Sequence, residues 1–100
     1  MQPHYAEAFE RDMGCTQAEW QGWLPNAIGH HAWRQEGASA TVHIGVAGTL
    51  AIQWRAAEPR RIALLHIPRL LVSFRFAGMD DPQRHAFMKR FDLYMQRGGG

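Results

Sequence analysis

Six histidines and one cysteine are the residues of this 100-residue chain best suited to metal or nucleophilic chemistry. His30 and His31 are adjacent, His43 lies mid-way along an alternating segment, and His66 precedes Ile67-Pro68. His4 and His85 fall in segments with helical spacing. Metal centres usually place ligands at short fixed spacings, such as H-x3-H on a helix or C-x2-C in a turn, and neither occurs. Adjacent residues on a strand point to opposite faces, so His30 and His31 do not read as ligands of one ion. The pattern predicts surface and loop histidines and no metal ligand.

Cys15 is the only candidate thiol nucleophile. One residue before a helix cap, it would have its thiolate favoured by the helix dipole, and a histidine of the His30-His31 pair would be its base. The same position, however, forms a hydrophobic staple with Trp20, which buries the sulfur as a small apolar group. Asp80-Asp81 precede Pro82 at a helix start, where capping and the helix dipole account for both carboxylates. Gly45-Val46-Ala47-Gly48 reads as a turn between strands. No phosphate loop, nucleophile elbow or dinucleotide fingerprint is present, so no catalytic residue and no cofactor is assigned.

Two surfaces are left. Thr41, His43, Gln53, Arg55, Ser73 and Arg75 share one side of the alternating segments and form a candidate polar sheet face. Two arginines, a histidine and three neutral polar groups suit an anionic ligand or RNA. Sheet-type RNA readers stack bases on open-face aromatics, whereas Trp54, Phe74 and Phe76 fall on the opposite side here, which predicts a solvated face. The second surface is Leu93, opposite the apolar stripe of the last helix among Ala86, Lys89, Arg90 and Arg97. Leu93, Lys89 and Arg90 are the candidate homodimer contact. The end Arg97-Gly98-Gly99-Gly100 superficially matches the diglycine end of ubiquitin-like modifiers, but the strand order does not match theirs.

The elements carrying these residues follow from periodicity. Tyr5, Phe9 and Met13 recur every four residues, which predicts a short helix over residues 4–13 ended by Gly14. Thr16 and Glu19 form a capping box that opens a second helix; Pro25 is expected to break or kink it after Leu24, with Pro25–Gly29 as one further turn. From His31 to Phe76 the period becomes two. Strands are expected at His31–Gln35, Ala40–Val46, Leu50–Ala56, Arg61–Ile67 and Arg69–Phe76, with a break at Glu58-Pro59 and a bend, edge or turn at Pro68. A helix runs from Asp80 or Asp81 to about Arg97, with Phe87, Met88, Phe91, Tyr94 and Met95 as its apolar stripe. Short connections favour an antiparallel meander, and one apolar sheet face calls for helices on one side. The expected fold is a single two-layer α+β domain over residues 1–100: two short N-terminal helices, a sheet of four or five strands, and a long C-terminal helix.

Composition narrows the class. Apolar residues make up 46% of the chain and charge is mixed, which excludes a disordered segment. The first fifty residues carry a net charge of −3 (2 − 5) and the second fifty +5 (9 − 4), and ten of the eleven basic residues are arginine. Arginine suits planar anions, but it also follows from a GC-rich genome, the larger share here. No leader-like start and no stretch of about 20 apolar residues is present, so a cytoplasmic protein without a membrane partner is expected.

The C-terminal segment Phe91-Asp92-Leu93-Tyr94-Met95-Gln96-Arg97-Gly98-Gly99-Gly100 resembles that of a family of small proteobacterial proteins. The resemblance covers roughly Pro59 to Gly100 and implies a bacterial origin without implying an activity. With local signals absorbed by capping, turning and packing, the chain reads as a non-enzymatic binding or protein-interaction module, homodimeric or with an unknown protein partner. RNA or anion binding through Arg55 and Arg75 is the alternative, followed by a metal- or thiol-dependent enzyme.

Overall fold

The computed structural model describes residues 4–97. Its elements run β1 (Ala8–Met13), α1 (Gln17–Ile28), β2 (Ala32–Glu36), β3 (Ser39–Ile44), β4 (Gly48–Ile62), β5 (Leu65–Ala77) and α2 (Asp81–Arg97). The strands form one antiparallel sheet in the order β1-β5-β4-β3-β2. β2 to β5 form the expected antiparallel meander, but with four strands where five were expected: Arg61–Ile67 is not a strand of its own and spans the turn between the long β4 and β5. The fifth strand is new: residues expected to form the first helix instead supply β1, which pairs with β5.

The spacing behind that expectation is ambiguous. A repeat of four fits a helix turn and also two strand periods, so Phe9 and Met13 share a face in either conformation. In the strand, Phe9, Arg11 and Met13 point inward and Ala8, Glu10 and Asp12 outward. Only one N-terminal helix remains. Its capping box forms as expected, with Glu19 N–H donating to Thr16 Oγ1 at 3.1 Å and Thr16 N–H to Glu19 Oε1 at 2.9 Å. The helix does not break at Pro25. That ring is exposed, and burial of Ala27 and Ile28 holds the last turn in place, with Gly29 N–H bonding Pro25 O at 3.0 Å.

Pro59 and Pro68 do not separate strands either. β4 and β5 form one long hairpin whose register shifts between Ala57 and Arg60. Ala57 pairs with Arg69 and Arg60 with Ile67, so Glu58 and Pro59 lie opposite Pro68. One bulge thus takes both residues that cannot donate to the ladder.

Both helices cover one face of the sheet. Trp20 of α1 is the junction, with its ring 5.8 Å from Trp54, 6.4 Å from Phe74 and 6.1 Å from Phe91. Phe74 and Phe91 meet edge to face at 5.7 Å. Cys15 packs in the same core, where burial and then Glu19 raise its thiol pKa. α2 is capped by Asp80, whose Oδ1 accepts from Gln83 N–H at 2.9 Å.

One charged residue interrupts the apolar face. Arg11 donates to both carboxylate oxygens of Asp92 on α2, at 2.5 and 2.9 Å, and Tyr5 Oη donates to Oδ2 at 2.6 Å. Burial, together with the hydrogen bond to Asp92, pushes the Tyr5 hydroxyl up to about 12. For Arg11 burial opposes the charge, but Asp92 outweighs it and the guanidinium is held more firmly protonated than usual.

Phe91→Ala should cost about 3–5 kcal/mol in urea unfolding, the usual loss for a buried aromatic. A variant that melts within a degree or two of the parent would refute this packing. Asp92→Asn should cost about 2 kcal/mol, because a hydrogen-bonded charge facing Arg11 is lost. A loss below about 0.5 kcal/mol would place the pair among ordinary exposed ones.

Candidate functional site

A concavity lies at one end of the sheet, between the C-terminus of α1, the β3–β4 turn and the first turns of α2. It is an open groove of about 710 Å³. Ala27, Ile28, Ile44, Met79, Ala86 and Phe87 give it an apolar floor, and His30, His31 and Arg90 stand along one edge.

Local sequence explains why the walls approach so closely. A side chain at Gly48 would place its Cβ 2.6 Å from Ile44 O and 2.7 Å from Met79 Cγ. At Gly78, where φ is +70°, a Cβ would lie 2.4 Å from Ala47 O. Two glycines therefore let the β3–β4 and β5–α2 connections touch and seat Met79 between them. The opposite edge depends on Arg90. Its Nη1 donates to Ala27 O at 3.0 Å and Asn26 O at 3.3 Å, satisfying carbonyls left open at the helix end. The guanidinium lies 4.4 Å from the Tyr94 ring centre.

The edge is electropositive and partly dry. The His30 and His31 rings are 4.3 Å apart, and His31 sits 5.4 Å from Phe87. Burial lowers the His31 pKa, and His30 and Arg90 lower it further. Among the described residues lining the groove there is no carboxylate, thiol or hydroxyl side chain. No group of three His, Cys, Asp or Glu residues able to hold a metal occurs among the described residues.

The expected polar face exists, with a smaller concavity of about 480 Å³ lined in part by Gln53, Ser73 and Arg75. Thr41, His43, Gln53, Arg55, Ser73 and Arg75 all lie on the sheet side away from the helices. Register sorts them into rows. Arg75 lies in line with Ala51, Thr41 and Arg34, while Gln53 and Ser73 lie between Glu10 and Glu36. Arg55 shares a row with Leu71 and Asp12, and His43 sits between Ala32 and Thr49. Glu10 and Asp12 reach this face only because residues 8–13 are a strand, so an acidic row now runs between the two arginine rows. Asp12 also holds Arg69 at 2.7 Å and Arg60 at 3.2 Å. The hydrogen bonds from Arg69, then from Arg60, hold its pKa below the usual carboxylate range.

Leu93 and Lys89 are exposed, Leu93 by 44%. Arg90 is committed to the α1 terminus. Ala86, Arg90 and Leu93 recur at i, i+4 and i+7, so Leu93 continues the ridge that walls the groove. The Gly98–Gly100 tail lies outside the described residues. The sequence pointed only indirectly to the groove, through an apolar Val46 in a turn and two histidines after a helix.

No family model matches this chain, and no curated protein or solved structure matches it. Among the described residues, no helix is long and apolar enough to cross a membrane.

The lowered His31 pKa has a definite consequence for stability. The unfolded chain takes up this proton more readily than the folded one. The contribution is therefore complete above the ordinary value of 6.5 and is lost as pH falls through the folded-state value. Between about pH 7.5 and about pH 5.5, the melting temperature of the parent should fall further than that of His31→Gln. Equal falls would show that His31 does not carry the effect.

Proposed function

We propose that the protein is a non-enzymatic binding module whose ligand occupies the groove, and that the ligand is an amphipathic anion. The observation that carries this reading is an apolar floor bounded on one side by Arg90, His30 and His31. An apolar body would leave water against Ile28, Ile44 and Phe87, and a single negative head would face the guanidinium. Small-molecule sites follow this plan, with a hydrophobic lining and few convergent polar groups. A lining without carboxylate, thiol or hydroxyl side chains favours binding over covalent chemistry, and the buried Cys15 thiol, shifted away from its thiolate, argues the same way.

The sheet face is a poorer anion site. Glu10 is a diagonal neighbour of Arg75, and Asp12 shares the row of Arg55, so an anion there would meet carboxylates at about the distance of the arginines.

Decanoate, with decanol as its uncharged control, tests the proposal by amide chemical-shift titration. Decanoate should move the signals of Ala86, Phe87 and Gly45–Gly48 and bind more tightly than decanol. Ala86→Trp fills the groove from an exposed helix position and should weaken decanoate binding at least tenfold, roughly one lost anchor's worth of burial. Shifts confined to Gln53, Arg55, Ser73 and Arg75 would move the function to the sheet face. An absence of shifts would refute ligand binding in the groove.

A further inference from the structure

Beyond the bulge, β4 and β5 leave the body of the sheet as a two-stranded arm. Pairing with β3 stops at Gln53, opposite its first residue Ser39, and pairing with β1 stops at Leu70, so among the described residues the arm has no strand on either side. Its tip is Ile62-Ala63-Leu64-Leu65, four apolar residues in succession. Leu64 is 96% exposed, Leu65 64% and Ile62 57%. Ala63 holds φ at +54°, a left-handed conformation that a residue with a Cβ adopts at a cost. Arg61 lies directly opposite His66, with no acidic residue between them. Exposed leucines and a strained alanine are each unfavourable in an isolated hairpin, and both coincide here.

We propose that this tip inserts into the interfacial layer of an anionic lipid bilayer. Ile62, Leu64 and Leu65 enter the acyl boundary, and Arg60 and Arg61 stay at the headgroups. The arrangement selects this occupant: Ile62, Leu64 and Leu65 form an exposed apolar end, and directly behind it stand Arg61 and the largely exposed Arg60, while Arg69 is held by Asp12. Anionic headgroups attract such basic groups, and long side chains keep their charges at the interface while the apolar residues sink. A bilayer also accepts a protruding knob without a matching pocket. A second copy offers its own apolar groove, but that groove is edged by the Arg90 guanidinium, which repels a tip flanked by arginines. A DNA duplex can take an apolar wedge between base steps, but its binding rests on several phosphate contacts, and Asp12 holds two of the arm's three arginines. The contact is peripheral, needing no spanning helix. It departs from the expectation, drawn from the missing span alone, that a membrane is not a partner.

Co-sedimentation with vesicles tests the proposal, using phosphatidylcholine alone and an equal mixture with phosphatidylglycerol. The parent should pellet with the mixed vesicles and far less with the neutral ones. Leu64→Asp removes a side chain with almost no packing, so its melting temperature should hold while vesicle partitioning falls about tenfold or more. Arg61→Glu should reduce binding to mixed vesicles, and Ala86→Trp should leave it unchanged, which separates this result from the fate of the groove. Failure to pellet with either vesicle, or equal pelleting of Leu64→Asp, overturns the proposal. So does a Leu64-dependent dimer or duplex-DNA complex formed in place of vesicle binding.

Discussion

A guanidinium packed against an apolar layer must find an anion, and Arg11 finds Asp92 across 81 residues of chain. Arg11 projects from β1 toward the helices, over the rings of Phe9 and Phe74, where its centre lies 5.4 Å from each. The partner has to come from the layer above, and α2 supplies it together with the Tyr5 hydroxyl. The ion pair thereby ties an N-terminal edge strand to the C-terminal helix and fixes where both can sit. Moving β1 to the other edge would leave a half-buried guanidinium and a half-buried carboxylate without each other, which costs more than the pair contributes.

That placement dictates the rest of the architecture. β1 lies at one edge of the sheet and β2 at the other, yet only α1 connects them. Five strands span about 19 Å centre to centre, at about 4.8 Å per spacing. A helix of 12 residues spans about 18 Å. α1 is therefore a strut of the right length to cross the whole apolar face, and its C-terminus arrives at the far edge with open carbonyls. Arg90 closes them. The groove exists because the strut ends there: its floor is the last turn of α1 and the start of α2, and its cationic edge is a capping residue with further donors.

How much of this was legible in the sequence depended on whether neighbours or distant residues decide a conformation. Capping boxes are decided locally, so Thr16-x-x-Glu19 and the start of α2 could be read directly. The alternation of Val42, Ile52 and Phe74 likewise announced one apolar sheet face, and the six polar-face residues do share the other. Residues 8–13 were ambiguous because a repeat of four suits both periods, and what decided them was the open edge of β5, some 60 residues away. Each proline looked like a boundary when considered alone. Pro25 is tolerated because Ala27 and Ile28 are buried beyond it, and Pro59 and Pro68 share one bulge because their strands pair. The groove had no motif to find, since its walls come from four separated segments brought together by α1.

The long hairpin carries a tension of its own. A two-stranded arm with open edges invites pairing with other chains, and this one is guarded against it. Pro59 and Pro68 remove donors, the bulge twists the ladder, and Arg60 and Arg61 put charge along the β4 edge. The backbone is thus protected from strand addition while the side chains at the tip stay apolar. If the tip were merely an unpruned loop, a glycine at position 63 and a polar residue at 64 would relieve strain and exposure together, since neither side chain packs on the core. β4 runs from Gly48 in the groove to Ile62 at the tip, 15 residues or about 46 Å of extended chain. The two apolar surfaces therefore face opposite ends of a molecule 48 Å long. They are too far apart to serve a single small ligand, so the arm calls for an occupant of its own.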